Sequence, residues 1–355
     1  MTLRVGVIGC GRIARGVHLP VLARLGGVRI ASVAEPDEDG RRAAAAIARG
    51  ATAYADYRDL LRAGGVDAAV ICVPPHLHAP VAIAAFEAGL HVYVEKPLVP
   101  SLVESMPVLD AWRRARTIGM IGFNFRFHPQ IASIRQRVRD GAIGTPLGVR
   151  GVFSILPHEL PDWKRTRSTG GGVLLDLVSH HVDLVHHLLE DDVVRVYATS
   201  RSLRGEADHA AVQLELASGV MVQLFASLGA TDENRLEVVG TQGKLVMDRI
   251  ELLRAEHVPA TERGARARRL VRAIAALEPR RVLRSPGAEP SFAAALEAFT
   301  WSAAGNAFAG PDLLDGVRNL AVIEAAERSL ASRAAEAPRW PESLAAADSG
   351  GRAHR

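Results

Sequence analysis

The chain has 355 residues, 48% hydrophobic and 23% charged, a globular balance that excludes a disordered protein and leaves length for about two domains. The formal net charge is only +4, and nine arginines against four glutamates between Arg254 and Glu289 account for the excess. The remainder is near neutral, without the broad basic face of a nucleic-acid binder, and the Arg-rich stretch reads as a solvated excursion.

The first ~120 residues alternate apolar runs with helical patterns, the mark of a parallel sheet. Strands are predicted over Leu3–Ile8, Val28–Ala34, Asp67–Val73, His91–Val94 and Ile118–Phe123. Their near-continuous apolar character suits burial on both faces. Helices are predicted over Arg12–Leu25, Pro36–Arg49, Leu77–Ala88 and Leu102–Arg116. Beyond Phe123 the signals become hairpins. His209–Leu216 and Val220–Leu228 flank Ala217-Ser218-Gly219, and Arg235–Val239 and Lys244–Met247 flank Gly240-Thr241-Gln242-Gly243, which predicts antiparallel pairing. Val173–Leu189 and Asp312–Ser332 read as helices. The expected architecture is α/β: a doubly wound parallel sheet over residues 1–122, then an α+β domain over 123–333 with an open, mostly antiparallel sheet. Residues 334–355 are expected to fray as a tail.

Cys10 and Cys72 are the two cysteines, too few for a disulfide framework or a cysteine zinc site. The apolar run from Val5 to Cys10 is too short for a signal core. The uncharged stretch 68–86 carries Pro74, Pro75 and Pro80 and is no membrane helix. A soluble cytoplasmic protein with no membrane partner is expected.

The turn after the first strand is Gly9-Cys10-Gly11-Arg12-Ile13-Ala14, a G-x-G-x-x-A pattern that opens a helix. Gly9 permits the tight turn, Gly11 lets the backbone approach a diphosphate, and Ala14 keeps helix and sheet close. Free N–H groups at the helix start suit phosphate. Glu35 ends the second strand, 24 residues after Gly11, near the offset of a ribose-binding acid. The pattern points to a dinucleotide. Glu35 would repel a 2′-phosphate, and no cation follows until Arg41, so NAD is favoured with NADP as the alternative. The competing reading of Glu35 is a helix cap.

Two further segments carry chemistry. Glu95-Lys96-Pro97 ends the strand His91–Val94, the edge where such sheets hold ligands. A lysine there can stabilise an alkoxide, and Pro97 could sit in a cis bond. On the helix predicted over Val173–Leu189, Asp176, His180, Asp183 and His187 fall at about 0°, 40°, 340° and 20°. This polar stripe opposes a wide apolar face, as on a helix with one wet side. Aspartate and histidine, rather than glutamate and lysine, suit proton transfer, with the carboxylate orienting the ring. Metal binding would need a further ligand; none is assigned. His181, His186 and His187 read as structural.

The motifs together resemble the Gfo/Idh/MocA family, of the glucose–fructose oxidoreductase and inositol dehydrogenase type. The resemblance runs from Leu3 to about Ser332 through VIGCGRIA, CVPPHLH, AGLHVYVEKPL, FNFRFHP, GGGVLLDLVSHHVD, GTQGKL and DGVRNLAVIEAAERS. It implies a Rossmann domain and a catalytic set of Lys96, Asp176 and His180. Lys96 would bind the reacting oxygen, His180 would serve as acid/base, and Asp176 would position substrate and histidine. Pro74, His78 and Glu95 would lie by the nicotinamide ribose. Asn124, Arg126 and the loop Asp162-Trp163-Lys164-Arg165 would face substrate, with His158 a further candidate. Val178 stands where the family often has glycine. The implied reaction moves a hydride between nicotinamide and a secondary alcohol or ketone of a sugar, amino sugar, cyclitol or nucleotide sugar, in a homodimer or homotetramer. The alternatives are an NAD-dependent glycosidase that oxidises its sugar transiently, or a non-catalytic nucleotide-sensing binding protein.

Overall fold

The computed structural model describes residues 2–250, 254–260 and 289–341; most of the Arg-rich excursion and residues 342–355 of the expected tail lie outside the described residues. The first half runs β1 (Leu3–Ile8), a π-helical turn (Ala14–His18), α1 (Leu19–Leu22), β2 (Val28–Ala34), α2 (Glu38–Ile47), β3 (Thr52–Tyr54), α3 (Tyr57–Ala63), β4 (Ala68–Ile71), α4 (His78–Glu87), β5 (His91–Val94), α5 (Leu102–Ala115) and β6 (Gly119–Ile121). The strands order β3-β2-β1-β4-β5-β6, all parallel. The order reverses at β1, so a crevice opens beyond the carboxyl ends of β1 and β4. The central strands are buried on both faces, as their uninterrupted apolar runs require.

Two elements of this half escape the apolar pattern. β3 has three residues, and α3 starts on Asp56, whose carboxylate accepts from the Arg58 N–H at 2.8 Å. The helix predicted over Arg12–Leu25 begins instead as a wide turn in which the Leu19 N–H reaches the Ala14 carbonyl. Asp37, not Glu35, caps α2: its carboxylate accepts from the Gly40 N–H at 2.7 Å.

The second half contains α6 (Pro129–Arg139), β7 (Pro146–Ser154), α7 (Asp162–Arg165), a second π-helical turn (Leu174–Val178), α8 (Ser179–Leu189), β8 (Val193–Arg201), β9 (His209–Leu216), β10 (Met221–Ser227), β11 (Glu233–Gly240), β12 (Gly243–Asp248), β13 (Glu256–Pro259), α9 (Pro290–Ala303) and α10 (Leu313–Ser332). Its sheet orders β13-β12-β11-β7-β10-β9-β8 and is antiparallel except for the β7–β10 pair. β7, β8, β13, α6 and α9 were not evident in the sequence. The inner faces of these strands share one core with α8 and α10. The outer face leaves Tyr197, Met221 and Phe225 exposed.

The halves interlock. α9 follows the second sheet in sequence, yet Ala295, Leu296 and Phe299 pack with Val5, Val7 and Tyr93 of the first. α10 begins with a capping box in which Asp312 accepts from the Leu314 and Asp315 N–H groups. The start of the expected tail is tied down: Glu336 pairs with Val196 of β8 through both backbone bonds at 2.8 Å.

Helix α8 is buried nearly all round, so its polar stripe is not the wet side of an amphipathic helix. Asp183, 2% exposed, receives the Arg126 guanidinium: Nε donates at 3.0 Å and Nη2 at 2.6 Å, while Nη1 reaches Asp315 at 3.2 Å. Arg126 thereby joins the short turn 124–127 to α8 and α10. Replacing one member of a buried pair strands the other charge without water. Arg126→Met should therefore lower unfolding free energy by about 3–5 kcal/mol, read as a lower denaturation midpoint in urea; a change no larger than that of an exposed control such as Arg24→Met would refute the role.

Candidate active site

The glycine turn fits a dinucleotide. Gly9 has φ +83°, and a Cβ there would lie 2.6 Å from the Val73 nitrogen, so only glycine lets β1 turn beside the end of β4. A Cβ on Gly11 would meet nothing within 4 Å. That glycine therefore answers to no packing demand of the chain, and the open space beside it is what a close-approaching diphosphate requires. Ala14 is fully buried against the sheet, and the first N–H groups of a helix are left free for a phosphate. Burial pushes the Cys10 thiol, inside the turn, up to about 12, which keeps it neutral. Glu35 reaches into the turn, where Oε2 accepts from the Cys10 N–H at 2.7 Å and Oε1 from the Asp37 N–H at 3.1 Å. Arg12 is exposed at the rim, and Pro74 borders the crevice at the end of β4.

Lys96 stands at the carboxyl end of β5, followed by a cis peptide to Pro97. Its Nζ donates to Asp176 Oδ1 and to the Asp176 carbonyl, each at 2.8 Å. Lys164 donates to the other carboxylate oxygen, Oδ2, also at 2.8 Å. One carboxylate thus holds two ammonium groups, one from each half of the molecule. Burial opposes its charge, but Lys164 and Lys96 hold the Asp176 carboxyl well below the usual range. Asp176 lies within the second π-helical turn, where the Ser179 N–H reaches back to the Leu174 carbonyl. Such wide turns concentrate at functional sites.

The sequence Gly170-Gly171-Gly172 explains how the Lys164 loop gets so close. A Cβ on Gly170 would collide with the Pro75 ring and one on Gly171 with the Lys164 carbonyl. Gly172 has φ +90°, and its N–H donates to that carbonyl at 3.2 Å. Trp163 lies beside the lysine, with Lys164 Nζ 5.4 Å from its ring centroid.

His180 follows one turn after Asp176, but the Asp176 carboxylate is spent on the lysines rather than on the ring, contrary to the orienting bond expected. Rings hold it instead. Phe125 stacks on it at 4.4 Å and 28°, and Phe153 tilts against it at 5.9 Å. Arg249 lies over Phe125, 4.0 Å from its centroid, and pairs with Glu289 at 2.5 Å. Nδ1 of His180 is buried and unpartnered, which leaves Nε2 as the nitrogen a substrate can meet. Burial, and then the Lys96 ammonium, hold the imidazole well below its usual pKa, so the ring is neutral and can accept a proton.

Other expected site residues are engaged elsewhere. Asn124 donates to the Ser291 hydroxyl at 2.8 Å in the interior, and Arg126 is committed to Asp183 and Asp315; both hold elements in place. His78 is 1% exposed, with Nδ1 2.8 Å from the Pro97 carbonyl and Nε2 2.9 Å from the Val73 carbonyl. It clamps the end of β4 to the turn after Lys96 and leaves no nitrogen for a ribose. Glu95 Oε1 meets His18 Nε2 at 2.7 Å beneath the glycine turn, and although burial opposes it, the His18 bond holds the carboxyl below its usual range. His158 is exposed and, among the described residues, bonds its own loop at the Leu156 carbonyl. The sequence reading missed Phe125, Phe153, Arg249 and His18. The aromatic alternation Phe123, Phe125, Phe127 was the one available signal.

A parallel sheet in this order, a glycine turn open to a diphosphate, and lysine, aspartate and histidine at the same edge define a nicotinamide-dependent oxidoreductase. Residues 3–135 match the oxidoreductase family with an NAD-binding Rossmann fold, and residues 131–246 match the GFO/IDH/MocA C-terminal domain. The chain belongs to the GFO/IDH/MocA family of sugar and polyol dehydrogenases. It is 30% identical over 344 residues to inositol 2-dehydrogenase 2 of Saccharopolyspora erythraea, covering 94% of each chain. It is 29% identical to myo-inositol 2-dehydrogenase of Thermotoga maritima over 70% of this chain and 76% of that one. The crystal structure of levoglucosan dehydrogenase with NADH superposes with TM-score 0.80 at 22% identity, covering 96% of this chain and all of that one.

If Lys96 lowers the basicity of His180 through space, Lys96→Met should move the His180 titration midpoint upward. Ring resonances of labelled histidine should report a neutral His180 at pH 6.5 in the wild type and a higher midpoint in the variant; identical midpoints would refute the coupling.

Proposed function

We propose that this dehydrogenase oxidises a secondary carbinol of a sugar or cyclitol with NAD, using Lys96, Asp176 and His180. The carrying observation is the Lys96–Asp176 bond at 2.8 Å beside a neutral, partly accessible His180 at the sheet edge that receives nicotinamide in this fold. Nicotinamide, when bound, supplies the hydride acceptor. His180 Nε2 takes the hydroxyl proton, which its lowered pKa permits near neutral pH. Lys96 donates to the substrate oxygen and offsets its developing charge. Asp176 holds the Lys96 ammonium in place through two hydrogen bonds, and the Phe125 stack steadies the imidazole. In the reverse direction the same groups act with His180 as the acid. The names of the relatives, inositol and levoglucosan dehydrogenases, support a polyhydroxylated substrate.

Lys96→Ala and His180→Ala should each lower kcat/KM by about 10²-fold or more, measured as NADH formation at 340 nm. Turnover within tenfold of wild type in both variants would overturn the assignment. Net NADH in proportion to substrate consumed separates this reaction from a transiently oxidising glycosidase.

The reading extends to the cofactor. Glu35 presents its carboxylate to the glycine turn, while Arg41 Nη1 is turned onto the Glu35 and Pro36 carbonyls at 2.8 and 3.0 Å. A ribose diol can accept this arrangement, whereas a 2′-phosphate would meet the carboxylate. NADH should bind about tenfold or more tightly than NADPH, a difference of about 1.4 kcal/mol, and Glu35→Ala should narrow the gap. Fluorescence titration checks both; equal affinities in the wild type would refute it. The exposed face of the second sheet, with Tyr197, Met221 and Phe225, is the surface we assign to a homo-oligomer contact.

A further inference from the structure

We infer that Lys164 recognises an anionic group on the substrate, so that the sugar or cyclitol handled here carries a carboxylate or phosphate near the reacting carbinol. The inference rests on the redox reading above and narrows its substrate class.

The argument is one of charge and spare donors. Two ammonium groups share the Asp176 carboxylate, and the ring of His180 is neutral, so the cluster keeps one positive charge in excess. Among the described residues neither nearby carboxylate bonds Lys164: Glu95, which lies beside Lys96, bonds His18, Glu289 bonds Arg249, and Asp162 is exposed to water at the start of α7. Arg165, exposed on the same loop, turns its Nε to the Leu160 carbonyl at 3.1 Å.

The two lysines are also unequally committed. Lys96 spends two N–H groups on Asp176 and has one left, enough for a reacting oxygen. Lys164 spends one and has two left. Lys164 is the more exposed, 22% against 14%. One carboxylate balances one ammonium, so the second leaves a positive charge over on the more exposed of the two lysines. The loop that brings it in is packed as a fixed part of the site, with Gly171 admitting the Lys164 carbonyl where any side chain would collide. Trp163 adjoins it and offers an aromatic face to a sugar ring. Charge, donors and platform together suit an acidic sugar.

The test measures binding as well as turnover. Calorimetry of the full chain, with and without NADH, compares D-glucuronate and D-glucose 6-phosphate with D-glucose and myo-inositol. At least one acid should bind about 10- to 100-fold more tightly than the neutral compounds, the range of a hydrogen bond to a charged group. Which acid binds separates carboxylate from phosphate. Lys164→Met should erase the preference and Lys164→Arg should keep it. Acids bound no more tightly than neutral compounds, binding of none, or a preference that survives Lys164→Met overturns the inference. NADH formation from neutral sugars alone also overturns it while upholding the redox reading. Acid-selective binding without NADH from any compound does the reverse.

Discussion

The site depends on one carboxylate held between two ammonium groups. Asp176 is mostly buried, and a carboxylate there persists as an anion only if compensated. Lys96 and Lys164 compensate it from opposite directions. Because Lys96 belongs to the first sheet and Asp176 to the segment that leads into α8, the same bond that stabilises the charge registers the halves of the molecule against each other. The second-half charge therefore sits at the carboxyl edge of the parallel sheet, where the glycine turn also opens.

A shell of conformational detail serves that contact. Both wide helical turns contain a site residue: His18 in the first pairs with Glu95 under the turn, and Asp176 in the second presents its carboxylate to the lysines. The three consecutive glycines are a steric requirement of the Lys164 loop and of Pro75, not a flexible linker. His78 ties the ends of β4 and β5 together. Arg126, forked onto Asp183, holds the turn whose neighbouring Phe125 supports the imidazole. The packing explains why His180 has a neutral, accessible face without any hydrogen bond to Nδ1: it is positioned by rings in an apolar environment that also suppresses its protonation.

The consequence for the chemistry is a division of labour among like groups. The two lysines differ in spare donors and exposure. The histidines of α8 differ in the same way, since His181 lies against Asn234 and His180 faces the site. Electrostatics thus separates residues that the sequence presents as equivalents.

Much of the framework was legible in the sequence because its signals are local. Continuous apolar runs named the buried parallel strands, the G-x-G-x-x-A turn named the crevice, and glycine-centred turns named the two hairpins. The three-residue strand β3, the edge strands β8 and β13, and helix α9 carry too little periodicity of their own. The stripe on α8 left its surroundings open, because an angular row of polar residues looks the same whether it meets water or buried partners. What only the tertiary structure decided is pairing. Lys96 and Asp176 are 80 residues apart, and Arg126 and Asp183 are 57 apart. Chain periodicity reaches only a few residues, whereas a buried charge takes whichever partner the packing brings within a few ångströms. Sequence therefore determined the elements and the kinds of chemical group available, and the packing of the two sheets decided which groups work and which merely hold them in place.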